Sequence, residues 1–335
     1  MVSRSWRDGF GRVLGAPAML AGVYALTLAA GLPMAFAIRG TIEAHLGRSL
    51  AADAAADGVN FDWWQEFASQ ASGLQATFSP AIVGFASTLD SISSVLDAER
   101  RVVPIAAAVA VYLLAWTFLS GGIVDRYARQ RPTHAYGFFG ASGAFFWRFL
   151  RLAAVASAAY WLLFAYLHRW LLEDAYTRLT RDLAVERQAF LWRAALYAAF
   201  GVVLVAVNVT FDYARIRLVV EDRRSALGAL RAALAFIWRH LDRAIGLYAL
   251  NALAFLTLIA VWALAAPGAG GAGWSMWLGF AGAQLYLLAR LLLKLQFMAS
   301  QTALFQASLA HATYTAAPAP VWPESPAADA IRAGP

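Results

Sequence analysis

The sequence predicts an all-α polytopic membrane helix bundle with six transmembrane helices, and three observations carry this prediction. Hydrophobic residues make up 61% of the 335 residues and charged residues only 14%, whereas a soluble domain has roughly 25% charged residues. Six stretches reach the roughly 20 apolar residues that cross a bilayer as a helix. None of the six shows the alternation that marks a transmembrane β-barrel. The composition, which lacks cysteine, excludes an ordinary soluble enzyme, a disulfide-stapled domain and thiol chemistry.

Six spans are predicted, and the first of them has to be distinguished from a secretory signal. They lie approximately at 17–38, 102–124, 150–168, 190–210, 245–266 and 274–298. The first span follows three Arg residues and has the appearance of a secretory signal. Its apolar run, however, exceeds the 7–15 residues of a typical signal core. We therefore expect this span to be retained.

Arginine is concentrated in alternate connections, and this indicates the orientation. Residues 125–151 hold five Arg and one acid, and residues 212–243 hold seven Arg and four acids. Residues 39–101 reverse the balance, with four Arg and eight acids. Because cytoplasmic loops collect Lys and Arg, we expect both termini and the Arg-rich connections on the cytoplasmic side of the membrane. The net charge of +7 then reflects orientation and attraction to anionic lipid, and we expect no nucleic-acid partner.

The spans are predicted to form a single domain, residues 1–313, followed by a disordered cytoplasmic tail, residues 314–335. This Ala- and Pro-rich tail buries too little apolar surface to offset its ordering entropy. Residues 39–101 are predicted as one long helical extracytoplasmic loop. Its apolar run at 78–89 is too short to span, so it lies on the outer surface or across the bundle mouth, or it is re-entrant. On the inner side, Ser225 is predicted to cap an amphipathic helix of the headgroup region.

Two pairs of segments repeat in the same order along the chain. They are AFFWRFL at 144–150 with AFIWRHL at 235–241, and DRYAR at 125–129 with DYAR at 212–215. Such an order predicts a parallel duplication of residues 102–168 and 190–266. The alternative is that inner membrane interfaces in general favour Trp, Phe and Arg.

The repeated patches, each followed by an aromatic–Arg segment and another span, resemble uncharacterised bacterial six-span membrane proteins. These are similar in turn to the membrane domain of some glycerophosphodiester phosphodiesterases. The outer stretch GVNFDWWQEF at 58–67 also resembles a stretch found in bacterial membrane proteins. The resemblance covers about residues 100–300 and implies a six-span domain in a bacterial cytoplasmic (inner) membrane. The soluble phosphodiesterase domain has no counterpart here, so no catalytic residue and no activity are carried over.

The sequence predicts no catalytic residue, no metal site and no cofactor. The five histidines are scattered without the spacing of metal ligands. The GAGGAG stretch at 268–273 matches a dinucleotide pattern but lies between two spans, without the required strand and helix. Carboxylates near paired Trp residues are also found in sugar-cleaving sites, although a surface helix capped by Asp62 is the simpler interpretation. These outer-loop candidates are Asp57, Asp62, Trp63, Trp64 and Glu66.

Basic residues at the predicted inner interface are candidates for contact with anionic lipid. Long cationic side chains reach the headgroups from within a span. Arg290 and Lys294 share one helix face because they are four residues apart. The lipid-contacting candidates are Arg148, Arg151, Arg239, Arg243, Arg290 and Lys294.

Three functions remain open at this stage. The preferred one is a non-enzymatic scaffold, anchor or membrane-homeostasis protein that contacts anionic inner-leaflet lipid, a protein partner or a second copy. The second is a transporter or channel for a small or lipidic solute, which needs a continuous polar cavity along neutral groups. These groups are Ser91, Asn208, Asn251 and Gln284. The third is a membrane-embedded enzyme that uses the outer-loop carboxylates, which must then converge. Since the deep span interiors hold no Asp, Glu or His, a proton-coupled carrier is disfavoured.

Overall fold

The computed structural model describes residues 1–47, 49–58, 60–79, 85–98, 103–266 and 273–309. Within these ranges the chain forms helices and turns and no strand. The helices are α1 Val2–Leu14, α2 Pro17–Leu46, α3 Ala52–Ala56, α4 Phe61–Gln70, α5 Phe85–Leu96, α6 Val103–Arg129, α7 Ala135–Thr180, α8 Glu186–Val220, α9 Ala226–Arg239, α10 Leu241–Ala265 and α11 Trp274–Ser308. The predicted turn at 268–273, except Gly273, and the predicted tail at 314–335 lie outside the described residues.

Six helices in the described ranges are long and apolar enough to cross a membrane: α2, α6, α7, α8, α10 and α11. The prediction of an all-α six-span bundle is therefore confirmed. Within the most apolar stretch of each helix, only 6% to 33% of the residues are buried inside the chain. Large apolar surfaces that face outward are typical of membrane contact.

Several helices extend well beyond the predicted spans. The third span was expected at 150–168, whereas α7 runs over Ala135–Thr180 and includes two π-helical segments, Leu163–His168 and Trp170–Ala175. Helices α8 and α11 each continue ten residues past the predicted ends, to Val220 and Ser308. The end of an apolar run marks where a span leaves the membrane. The chain stays helical beyond that point because the extensions pack against one another.

The extensions form a closely packed bundle that we call the basic end. It comprises α1, α9, the C-terminal ends of α6, α8 and α11, and the start of α7. All seven residues at 299–305 of α11 are buried, which requires neighbours on every side of the helix. Helices α1, α6, α8 and α10 supply them, and the Phe236 ring of α9 meets the Phe305 ring at 5.0 Å.

Helix α9 folds back on α8 after a tight turn at 221–225. Ser225 caps α9 as predicted, because its hydroxyl accepts a hydrogen bond of 3.1 Å from the Gly228 amide. The face toward α8 is built largely from small side chains, which permit close approach: Ala226, Ala229, Ala233, Phe236 and Ile237. The opposite face exposes Leu227, Leu234 and Trp238. Helix α9 is therefore amphipathic: one face packs against α8, and the other presents exposed side chains.

Helices α6 and α7 form a second close pair, joined by residues 130–134. A Cβ atom on Gly121 would lie 2.9 Å from Phe145 Cβ, and one on Gly122 would lie 2.9 Å from the Phe138 carbonyl oxygen. Real Cβ contacts are longer, so glycine is required at both positions. This contact aligns the aromatic–Arg segment of α7 with the C-terminal end of α6.

Helix α1 runs from α10 across α11 to α6. At its beginning, Arg243 of α10 bonds to the Met1 sulfur at 3.3 Å. In its middle, a Cβ atom on Gly9 would lie 2.7 Å from Ser300 Cβ. Near its end, Arg12 Nη1 donates to the Tyr127 carbonyl oxygen at 2.9 Å. Ser5, Gly9 and Val13 form the buried face, and this four-residue spacing leaves the remaining residues toward the surface.

The other end of the bundle, which we call the opposite end, carries α3, α4, α5 and residues 176–187. Helix α5, which contains residues 85–89 of the predicted apolar run at 78–89, packs against α10. Residues 80–84 of that run lie outside the described residues. After α5, Asp97 accepts hydrogen bonds from Ser93 Oγ at 2.8 Å and from the Tyr197 hydroxyl at 2.9 Å. These bonds, that of Ser93 first, hold the pKa of Asp97 below its ordinary value.

Candidate functional site

The two repeated aromatic–Arg segments place corresponding side chains in corresponding environments. Phe145 and Phe236 are buried in the same apolar cluster. The next aromatic positions face outward, since Trp147 is 67% and Trp238 is 76% exposed. Exposed Trp side chains beside Arg are typical of membrane interfaces. The segments differ in one respect, because α7 continues as a helix whereas His240 separates α9 from α10.

The DRYAR and DYAR patches also match in structure. Tyr127 and Tyr213 are both fully buried, and their hydroxyl groups have no hydrogen-bond partner in the described part of the chain. In each patch the acid at the first position pairs with the Arg at the last position: Asp125 with Arg129 at 2.8 Å and Asp212 with Arg215 at 3.2 Å. The predicted duplication thus has two matching elements, and it stays a prediction.

The six predicted lipid contacts occupy three kinds of position. Arg148 turns inward: its guanidinium pairs with Asp222 and its side chain is 19% exposed. Arg151 and Arg239 lie on the surface of the basic end. Arg243 is half-buried, near Asp242 and the Met1 sulfur. Positions at the surface remain available to lipid, whereas Arg148 is used to join α7 to the turn before α9.

Arg290 and Lys294 form the third kind of position. Lys294 lies 14 residues before the end of α11 at Ser308, about 21 Å along the helix, and four residues before the predicted end of the sixth span at residue 298. Its ammonium lies 3.5 Å from the centre of the Trp116 ring. Placing a charged side chain in the apolar part of a membrane costs free energy, and a desolvated cation–π contact returns about 2 kcal/mol. The aromatic contact thus offsets part of that cost.

Neutral polar residues inside the bundle join helices to one another. The Tyr160 hydroxyl donates to Asn208 Oδ1 at 3.1 Å, and Asn208 Nδ2 donates to the Tyr248 hydroxyl at 2.9 Å. Asn251 Nδ2 donates to Ser300 Oγ at 2.9 Å.

The remaining groups of the predicted path are placed separately. Gln284 accepts from the Tyr24 hydroxyl at 2.8 Å. The Ser91 side chain lies outside the described residues. The hollow along the π-helical segments of α7 is lined by that helix alone, so it does not lead between spans. The described geometry therefore offers no observation that favours a polar transport path.

The outer-loop carboxylates do not converge on a site. Asp57, Asp62 and Glu66 are exposed, and the described residues provide no hydrogen bond or ion pair to these three carboxylates. Helix α4 is capped by Asn60, whose Oδ1 accepts from the Trp63 amide at 2.9 Å. The expectation that Asp62 is the cap was therefore wrong. Asp62 lies in the first turn, where its charge interacts favourably with the helix dipole.

Trp63 and Trp64 hold the outer loop in place. Trp63 is buried, and its indole N–H donates to His45 Nδ1 at 3.0 Å. Phe67 packs edge-on against the His45 ring at 5.4 Å. The Trp64 indole N–H donates to the Phe78 carbonyl oxygen at 3.5 Å. His45, in the last turn of α2, therefore joins α4 to the end of the first span.

We expect His45→Leu to release α4 from α2. Leucine keeps an apolar side chain beside Phe67 but has no acceptor for the Trp63 indole N–H. Loss of one hydrogen bond of about 1 kcal/mol corresponds to roughly five-fold faster local opening. Hydrogen–deuterium exchange of the α4 amides measures this change.

A second substitution and the far side of the loop supply the controls. His45→Gln keeps an acceptor for the Trp63 indole N–H, so its α4 exchange should stay closer to that of the wild type. Exchange of the α5 amides should not change in either variant, since α5 packs against α10. Equal α4 exchange in wild type and His45→Leu contradicts the assignment.

The described residues contain no group of three His, Asp or Glu side chains that could hold a metal ion.

No protein-family model, curated protein or solved structure matches this chain. The resemblance to the membrane domain of glycerophosphodiester phosphodiesterases therefore stays a prediction.

Sequence reasoning missed two side chains that the structure makes central. His45 was treated as one of five scattered histidines, and its role depends on a contact with a residue 18 positions away. Arg12 was counted only as an orientation charge, yet it donates to Tyr127 and to Gln306 Oε1. The position of Arg12 on an amphipathic helix directly before a span could have indicated that it makes such contacts.

Proposed function

We propose that the chain is a non-enzymatic, multi-pass protein of a bacterial cytoplasmic membrane that acts as a scaffold or anchor and contributes to membrane homeostasis. Its basic end faces the cytoplasm and binds anionic lipids of the inner leaflet. A protein partner or a second copy binds at the same surface in the scaffold role. The positive charge of the basic end supports this orientation, because cytoplasmic segments collect Arg and Lys.

One observation carries the proposal: the two repeated segments both present an exposed Trp next to exposed Arg residues. Trp147 is followed on its face by Arg151, and Trp238 is accompanied by Arg231 and Arg239. Indole rings favour the boundary between headgroups and acyl chains. Each basic residue near an anionic surface contributes about 1 kcal/mol. The surface thus combines an apolar anchor with a charge that selects anionic lipid.

The proposal is tested with the triple variant Arg151→Gln, Arg231→Gln and Arg239→Gln. We expect its apparent affinity for phosphatidylglycerol to fall by at least tenfold and by up to about 100-fold, given three contacts of about 1 kcal/mol. Retention of phosphatidylethanolamine should not change. Native mass spectrometry of the full chain, released from nanodiscs of each lipid, measures the lipids retained.

A matched triple variant at the opposite end separates local contacts from total charge. It removes three exposed cations outside the basic end: Arg178→Gln, Arg181→Gln and Arg187→Gln. We expect it to retain phosphatidylglycerol as the wild type does. Equal losses in the two triple variants would show that the basic end has no special role.

A further inference from the structure

The one lysine of the chain is held against aromatic rings inside the bundle. Of the 27 basic residues, 26 are Arg, and Lys294 is the exception. Its Nζ atom lies 3.5 Å from the centre of the Trp116 ring and 5.3 Å from that of Tyr112. These rings are one turn apart on α6 and stack at 6.5 Å. The ring quadrupole attracts a cation in this position.

Anionic side chains do not compensate this charge in the described part of the chain. No ion pair there includes Lys294 or Arg290. The neighbouring cations Arg215 and Arg290 add repulsion.

Arg290 lies one turn from Lys294 on α11, and its guanidinium packs on the Tyr286 ring at 5.5 Å. Tyr286 in turn stacks on Trp262 of α10 at 4.5 Å. The ammonium has three N–H donors and the guanidinium has five. Aromatic faces attract the charges but accept none of these donors in the normal geometry of a hydrogen bond. The pair therefore lacks an acceptor that carries negative charge.

We infer that Lys294 and Arg290 together bind the phosphate group of an anionic phospholipid. This inference rests on the proposed function, because it places the site beside the leaflet that carries anionic lipid. A phosphate diester offers oxygen acceptors to both side chains. Two cations against one negative charge leave a net positive charge. The site therefore prefers a headgroup with no cation of its own, such as phosphoglycerol, over phosphoethanolamine.

The surface next to the site suits acyl chains. Leu113 of α6 and Leu285 of α11 are exposed on the side of the site away from the basic end, and so is Val109. These apolar side chains belong to the same two helices that carry Lys294 and Trp116. A free phosphate ester shares the headgroup chemistry but gains nothing from this apolar surface.

The single lysine makes the test specific. In the full chain with isotopically labelled lysine, Lys294 gives the only side-chain amine signal from a lysine, and its ε-methylene resonance is shifted by the Trp116 ring current. We expect short-chain phosphatidylglycerol to move this resonance saturably in detergent micelles. Phosphatidylethanolamine with the same chains should move it at least five-fold less at equal concentration. Glycerol 3-phosphate and inorganic phosphate distinguish a free phosphate from a lipid headgroup.

Variants connect the signal to the site. Arg290→Gln should weaken the phosphatidylglycerol titration about five-fold, the factor that corresponds to about 1 kcal/mol for one basic residue. Arg187→Gln, at the opposite end, should leave the titration unchanged. Lys294→Arg should retain more phosphatidylglycerol in native mass spectrometry than the neutral Lys294→Met.

The possible outcomes separate this inference from the proposed function. A resonance that does not move with phosphatidylglycerol, or moves equally with inorganic phosphate, overturns the lipid site. If the lipid site is overturned in this way but the triple variant of Arg151, Arg231 and Arg239 still retains less phosphatidylglycerol than the wild type, the proposed function stands without the internal site. If the resonance titrates while that triple variant binds normally, the internal site stands and the surface of the basic end does not bind lipid.

Discussion

Gly9→Ala is expected to destabilise the folded chain by about 1–3 kcal/mol, the usual cost of overpacking a close contact. The new Cβ would lie 2.7 Å from Ser300 Cβ and 2.8 Å from the Ser300 Cα and backbone nitrogen. Backbone atoms of a buried helix do not move aside, so α1 has to shift outward. That shift lengthens the hydrogen bond from Gln296 Nε2 to the Trp6 carbonyl oxygen, now 2.8 Å. Thermal unfolding of the purified chain in detergent measures the loss.

Gly11→Ala is the matched control on the same helix. Gly11 is exposed, and a Cβ atom at this position meets no atom within 4 Å. Because Ala has a higher helix propensity than Gly by up to about 1 kcal/mol, this change should leave stability unchanged or raise it. The two substitutions add the same methyl group two residues apart. Similar unfolding midpoints for both would show that α1 does not dock on α11 as described.

Arg217→Met is expected to cost about 3 kcal/mol, because it breaks a buried ion pair and leaves Glu221 with only the exposed Arg223 as its partner. Arg217 Nη1 donates to both carboxylate oxygens of Glu221, at 2.8 and 3.0 Å, and its side chain is only 11% exposed. The guanidinium also lies 5.0 Å from the centre of the Phe305 ring. Met keeps the length of the stem and removes the charge. Denaturant unfolding followed by circular dichroism measures the effect.

Arg223→Met tests the same carboxylate from its exposed side. Arg223 also pairs with Glu221, but its side chain is 41% exposed, and exposed ion pairs contribute about 0–1 kcal/mol. We expect a correspondingly small loss. Adding Glu221→Gln to Arg217→Met should recover part of the stability, since it neutralises a carboxylate that then pairs only with the exposed Arg223. Equal losses for Arg217→Met and Arg223→Met are the result that contradicts the assigned role of burial.

The fold class could be predicted because its signal is local. Each span is a continuous run of apolar residues, and a membrane helix satisfies its backbone hydrogen bonds within its own segment. The helix ends could not be predicted in this way. Residues 211–220 of α8 contain Asp212, Arg215 and Arg217, and therefore have the appearance of a connection. They are helical because the other face of this segment packs against α9 and α11.

The candidate site was predicted in part. Helical spacing and capping gave the amphipathic α9, with Trp238 and Arg239 on the surface as expected. The same reasoning assigned Arg148 and Lys294 to lipid headgroups, but it did not indicate the partner that each side chain meets within the bundle. Arg148 meets Asp222, which is 74 residues away, and Lys294 meets Trp116 on another helix. Composition cannot indicate such partners, because a cation at an interface has the same sequence context in either case.

The sequence by itself determined the number of spans, the helical class and the concentration of Arg in particular connections, since apolar length and Arg distribution are properties of each segment alone. Only the tertiary structure decided that the core lies at the basic end and that α1 crosses α11 at Gly9. It also decided which basic residues stay at the surface and which turn inward. These features depend on distant residues that approach within a few ångströms. Close packing and charge pairing act at that range, so they emerge only when the helices are assembled.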